Sequence, residues 1–295
     1  MTDDVGTPAP VVAVLGTGTM GAGMARSLRR AGIPVRVWNR DVSRARALTG
    51  TGAEAFDSPA AATAGADVVL TMLLDADAVI DTIRQAAPAP GTVWLQCATV
   101  GIDGAERTIA VADELGLVLV DAPVLGTRKP AEEGALVVLA SGAEEARERL
   151  APVFEAVGRK TLWLGPAGTG SRLKLVCNAW VFMLTAGVAQ SVALAQGLGV
   201  DPRDFLEAID GGPLNAPYAH VKSADAIAGE YPVSFGLHGA MKDNRLIRSA
   251  LASVGLSDRL TAAVLETMET ADRRRADVGE VDMIALIEGL PLDDR

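Results

Sequence analysis

Gly16, Gly18 and Gly21 form the pattern G-x-G-x-x-G. The chemistry it suits is the holding of a pyrophosphate. Gly16 permits a tight turn, Gly18 lets the anion approach the backbone, and Gly21 lets a helix pack closely on a strand. Thr17, Thr19 and Met20 complete the cradle, with the free N–H groups of a helix start facing the phosphates. Far along the chain, Lys174 and Asn178 stand four residues apart, so on a helix they share a face. An amine beside an amide can hold a carbonyl oxygen and protonate it. Burial lowers a lysine pKa and so suits acid–base work near neutrality. Leu173, Leu175 and Val176 surround this lysine with apolar neighbours.

The end of the second strand discriminates between cofactors. A site for NAD usually places Asp or Glu there to bond the ribose 2′-OH. This chain has Asn39 and Arg40, with no carboxylate before Asp41. Arg40 offers a planar fork to a 2′-phosphate, and Arg44, one turn on, adds a second charge. The expected cofactor is therefore NADP(H) in preference to NAD(H).

The elements that must position these residues are legible in outline. Val11 to Leu15 is a continuous apolar run that suits a buried parallel strand, and residues from Met20 to Ala31 have helical spacing. Pro34–Trp38, Asp67–Leu73, Thr92–Gln96, Val118–Asp121 and Leu136–Ser141 read as further strands, with Ala-rich helical stretches between them. Alternating strands and helices predict a parallel α/β sheet covered on both faces. The pattern changes after Gly165. A helix from Ser171 to Gly197 would span about 40 Å, and the rest reads as helices broken at Asp201-Pro202 and Gly211-Gly212-Pro213. The predicted organisation is a disordered tail over 1–9, a nucleotide-binding domain over 10–166 and an all-helical substrate and oligomerisation domain over 167–295.

Composition excludes other classes. The 295 residues carry 27 basic and 37 acidic side chains, a net charge of −10. Nucleic acid as the main partner would need a basic face. A hydrophobic content of 49% excludes a disordered chain. Two cysteines, Cys97 and Cys177, and two histidines, His220 and His238, leave no ligand set for a zinc site or a disulfide scaffold. The longest apolar run, Ala179 to Ala189, is interrupted by Thr185, so no membrane span is expected. The start of the chain is acidic, unlike a signal peptide. A cytoplasmic location is expected.

Several motifs then align in order with one family. Gly16 to Ala25 resembles the opening G-x-G-x-M-G-x-x-M-A of the β-hydroxyacid dehydrogenases, which include 3-hydroxyisobutyrate dehydrogenases, tartronate semialdehyde reductases and glyoxylate/succinic semialdehyde reductases. Thr71-Met72-Leu73, continuing to Leu74, resembles the family's cofactor-contacting strand end. Ala98-Thr99-Val100 resembles its loop beside the nicotinamide. Asp121-Ala122-Pro123-Val124 matches the start of its substrate loop, Gly168 to Asn178 its catalytic helix, and Lys242-Asp243 its late Lys-Asp pair. The resemblance implies a Rossmann doubly wound domain followed by an all-α domain begun by a long helix. It implies that Lys174 is the catalytic lysine and that Asn178 and the loop Pro123, Val124, Leu125, Gly126 and Thr127 meet substrate. It also implies that Met72, Leu73, Leu74, Thr99 and Lys242 contact the cofactor. The family loop usually continues Ser-Gly-Gly; here it reads Leu125-Gly126-Thr127, which removes a hydroxyl suited to a substrate carboxylate. Arg128 to Gly134 resembles the glyoxylate/succinic semialdehyde reductase branch.

The expected activity is hydride transfer between a nicotinamide and a small aldehyde, keto acid or β-hydroxyacid, with Lys174 as general acid and base and the site at the sheet's carboxyl edge. Imine reduction is the alternative enzyme reading, since imine reductases share this architecture. A catalytically silent cofactor-binding scaffold is the alternative of another class. A homodimer or homotetramer is expected, because Trp180, Phe182, Leu184, Val188 and Val192 leave the long helix apolar over more than one face.

Overall fold

β1 (Val12–Leu15) is buried at all four positions, with Val12 and Val14 in one apolar cluster and Ala13 and Leu15 in the other. A strand covered on both faces must be apolar throughout. The computed structural model describes residues 9–291, so nearly all of the tail expected over 1–9 lies outside the described residues.

After β1 come α1 (Thr19–Arg30), β2 (Val35–Trp38), α2 (Val42–Arg46), β3 (Glu54–Ala55), α3 (Pro59–Thr63), β4 (Val68–Thr71), α4 (Ala76–Ala86), β5 (Val93–Gln96), α5 (Gly101–Leu115) and β6 (Val118–Asp121). These six strands pair in parallel in the order β3-β2-β1-β4-β5-β6. That is the doubly wound order, whose crevice opens where the direction of winding reverses, between β1 and β4.

The sheet continues through β7 (Val124–Leu125), α6 (Arg128–Glu133), β8 (Leu136–Gly142), α7 (Arg147–Val157) and β9 (Gly158–Trp163). Here the expectation of a wholly parallel sheet fails, because β8 runs antiparallel to β6 and β7. A parallel return needs a crossover as long as the strand it accompanies. The six residues of α6 rise only about 9 Å, against roughly 23 Å for the seven residues of β8. The chain therefore turns back. β9 then pairs in parallel with β8. The segment β7–α6 is tied to α1: a Cβ on Gly23 of α1 would lie 2.8 Å from the Ala131 Cβ of α6. Ser27 and Arg30 of α1 donate to the Glu132 carbonyl.

α8 (Thr169–Gly197) follows, then α9 (Pro202–Ile209), α10 (Pro217–Ala228), α11 (Leu237–Ser253), α12 (Arg259–Arg274) and a 3-10 stretch, Met283–Gly289. One compact unit ends at Lys174, inside α8, and the second begins at Leu175. In the second unit the 3-10 stretch packs on α10, α11 and α12, with Met283, Ile284, Ala285 and Leu286 fully buried. Lys222 and Asp282, also buried, pair at 2.5 Å, and Asp282 accepts from the backbone of Ser234, Phe235 and Ile284.

Although Thr185 interrupts its apolar run, α8 taken whole is long and apolar enough to cross a bilayer. The central helix of a water-soluble protein passes the same test. Lys174 and Asn178 on α8 are buried and bonded to other parts of the chain.

Candidate active site

In the first unit the glycine turn has the geometry its spacing predicts. Gly16 takes φ +102°, and a Cβ there would lie 2.3 Å from the Met72 carbonyl oxygen. A Cβ on Gly21 would lie 1.9 Å from the Gly16 oxygen, whereas a Cβ on Gly18 would meet nothing within 4 Å beyond its own chain neighbours. α1 begins with Gly18 as its N-cap, and no side chain caps it. Its first N–H groups therefore need partners from outside the helix. The buried Thr17 hydroxyl oxygen also lacks a partner. An open approach, uncapped amides and an orphaned hydroxyl fit the pyrophosphate of a dinucleotide.

Asn39 has two bonds of its own. Its Oδ1 accepts from the Thr17 backbone N–H at 3.1 Å, and its Nδ2 donates to the Asp41 carbonyl. It thus braces the glycine turn from β2. Arg40 and Arg44 are exposed. Arg44 lies 3.6 Å from Asp41, the N-cap of α2. Hydrogen bonds from Ser43, with Arg44 nearby, hold the Asp41 carboxyl below the usual range.

Met72 and Leu73 are half-buried at the end of β4, beside the turn, and Leu74 is exposed. Thr99 stands on the loop after β5, which the Gln96 side chain shapes: its Oε1 accepts from Ala98 N–H and its Nε2 donates to Ala98 O. Sequence reasoning passed over Gln96, although a polar residue closing an apolar strand was a signal.

Lys174, 8% exposed, donates from Nζ to the Val124 carbonyl at 2.8 Å. The lysine is thereby joined to the expected substrate loop. Pro123 and Val124 are buried, Leu125 and Thr127 half-buried and Gly126 exposed. Gly126 has φ +126°, and a Cβ there would press on Leu136 and Pro130.

Below this pair lies a group the sequence reading left without a role. Asp121, at the end of β6, is 1% exposed. Its carboxylate accepts from Ser171 N–H and Ser171 Oγ, both at 2.8 Å, and from Ser141 Oγ at 3.3 Å. Burial raises its pKa, while the bonds from Ser171 and Ser141 act to lower it. Cys97, next to this network, is a buried thiol whose pKa burial and the Asp121 charge push up.

In the second unit Asn178 is 2% exposed and donates from Nδ2 to Asp243 Oδ2 at 2.8 Å. Lys242 Nζ lies 2.6 Å from Asp243 Oδ1. Asp243 thus joins the expected substrate amide to the expected cofactor lysine, the kind of link that sequence spacing alone does not reveal. Among the described residues no cluster of three or more His, Cys, Asp or Glu could hold a metal ion.

Comparison with known proteins covers both units. Residues 11–165 match the model of the NAD binding domain of 6-phosphogluconate dehydrogenase. Residues 168–290 match the NAD-binding domain of NADP-dependent 3-hydroxyisobutyrate dehydrogenase. Glyoxylate/succinic semialdehyde reductase 2 of Arabidopsis thaliana, a chloroplastic protein, is 33% identical over 98% of this chain and 81% of its own. An NAD-dependent L-serine dehydrogenase of Pseudomonas aeruginosa is 36% identical over 66% of this chain and 67% of its own. The 3-hydroxyisobutyrate dehydrogenase of Mycobacterium tuberculosis, solved with L-serine, superposes with a TM-score of 0.84 at 26% identity, covering 97% of this chain and 100% of that one. An imine reductase from Pseudomonas sp. shares the fold, with a TM-score of 0.62 at 23% identity over 96% of this chain and 100% of that one.

Proposed function

The chain belongs to the β-hydroxyacid dehydrogenase family of NAD(P)-dependent oxidoreductases, and from that premise we propose that it is an NADP-dependent reductase of small aldehydes or keto acids, or the reverse dehydrogenase, with Lys174 as general acid and base. The observation that carries this reading is the buried Lys174 amine bonded to the Val124 carbonyl of the substrate loop. An amine held there is placed to exchange that carbonyl for a substrate oxygen at little reorganisation cost.

Gly16 to Gly21 and the start of α1 would hold the pyrophosphate, Arg40 the 2′-phosphate, and Met72, Leu73, Leu74 and Thr99 the nicotinamide side, with Lys242 as a further cofactor contact. The nicotinamide, when bound, supplies the hydride. Charge then gathers on the substrate oxygen, and Lys174 gives it a proton, a contribution typically of about 10²–10⁴-fold. Asn178, one turn along α8, offers an amide to substrate. In the oxidative direction Lys174 accepts the proton instead.

Glyoxylate and succinic semialdehyde, named by the Arabidopsis relative, are the first substrates to try. Lys174→Ala should lower kcat by at least about 100-fold while leaving NADPH affinity within a few fold. Near-normal aldehyde reduction would remove Lys174 from the chemistry.

Imine reduction is a second reading, favoured by the half-buried Leu125 where the family usually has serine. Two unpaired cysteines suit a reducing compartment and support a cytoplasmic location. Exposed Val176, Trp180 and Leu194 recur along one stripe of α8, with exposed Leu198 in the turn just after it, and support a homodimer or homotetramer.

A further inference from the structure

Asp121 is a buried carboxylate for which the proton transfer described above has no use. An ionised group is costly to bury unless hydrogen bonds replace its water. Here they come mainly from one place, the start of α8. Ser171 supplies both its backbone N–H and its hydroxyl, and Ser141 supplies a hydroxyl while accepting from Gly170 N–H at 2.9 Å. Two of the N–H groups left open at that helix end are thus met from the sheet edge.

The approach is close. A Cβ on Gly170 would lie 2.2 Å from the Leu139 carbonyl oxygen and 2.9 Å from that of Asp121. Lys174 follows Ser171 by three residues on the same helix. Val124 follows Asp121 by three residues on the other side, and Val124 receives the Lys174 amine. The carboxylate therefore fixes the helix that carries the amine and the strand end that leads into its acceptor. An ionised carboxylate only accepts hydrogen bonds, so it admits one polarity of contact with a helix N-terminus; an amide could rotate and present a donor.

We propose that Asp121, through Ser171 and Ser141, is the positioning residue for Lys174, holding the lysine at the reach and direction that proton transfer requires. The inference rests on the reading of Lys174 as proton donor.

The test compares Asp121→Asn, Ser171→Ala and Ser141→Ala, each made in the parent and in Lys174→Ala. Turnover is measured with NADPH and whichever of glyoxylate and succinic semialdehyde the parent reduces faster. The expected result is a kcat lower by about tenfold for Asp121→Asn and about threefold for each serine variant. NADPH Kd should be unchanged, and no further loss should appear in the Lys174→Ala background. Hydrogen exchange of the apoprotein should quicken over residues 169–175 in the same variants, a readout that needs no turnover. If Asp121→Asn fails to fold, the two serine variants, which each remove only a hydroxyl, carry the comparison. Unchanged kcat, or the same fold-loss with and without Lys174, would overturn the proposal. Normal turnover by Lys174→Ala alone would instead refute the lysine reading, which separates the two failures.

Discussion

Asn39 occupies the position where a carboxylate commonly receives the adenosine ribose, and its side chain is turned back to the glycine loop instead. Arg40 and Arg44 are both exposed nearby, but Arg44 lies 3.6 Å from Asp41, so Arg40 is the group proposed for a 2′-phosphate. A charge-assisted contact of this kind is worth roughly 1.5–3 kcal/mol. NADPH should therefore bind at least about tenfold more tightly than NADH, and Arg40→Asp should abolish or reverse that order. Equal dissociation constants for the two cofactors in the parent would refute the assignment. Leu125 makes a second residue-scale claim. Leu125→Ser restores a hydroxyl to the loop, so KM for a carboxylated aldehyde should fall while turnover of a cyclic imine does not improve. A parent enzyme that already favours 3-hydroxyisobutyrate at micromolar KM would contradict this view of the loop.

His238, at the start of α11, bonds Glu280 through Nδ1 and lies 2.9 Å from Asp272 of α12 through Nε2. The hydrogen bond to Glu280, aided by Asp272, raises its pKa against the lesser opposing effect of burial. A histidine with a raised folded pKa stabilises fully below its unfolded pKa, near 6.5, and loses that contribution as pH rises through the folded value. The side chain is 60% exposed, so solvent screening keeps the effect small. His238→Ala should lower Tm by about 1–3 °C near pH 6, and the gap to the parent should close in alkaline solution. A gap that is constant across pH would show that the histidine acts by packing alone. At this scale much was legible in advance. The buried strands β1, β4 and β5 announce themselves as apolar runs between turns, and α8 by its length. β7, with two residues, and α6, with six including Pro130, are too short to show a period. The reversal of β8 depends on how little room those two leave, which only the folded chain displays. Asp121 and Asp243 stand in recognisable motifs, but their bonding roles are not legible there for a similar reason: the partners lie 50 and 65 residues away in the chain.

The second unit has Val176, Trp180 and Leu194 exposed along α8 and Leu198 exposed just after it, beyond the scattered apolar residues that any surface carries. If copies of the chain cover this stripe, Trp180→Asp should shift the sedimentation coefficient towards the monomer and leave the far-UV spectrum unchanged. A parent that already sediments as a monomer at micromolar concentration would end that account. The whole molecule also shows how separable its parts are. The expected substrate loop is held at its start by the network around Asp121 and, through Ala131 and Glu132, by α1, the helix that follows the glycine turn. Transplanting Leu125 to Thr127 alone from a relative would set a foreign tip on unchanged anchors. A graft meant to redirect specificity has its natural seams at Asp121 and Gly134, and a donor strip with a bulkier residue at 131 would have to bring its own α1.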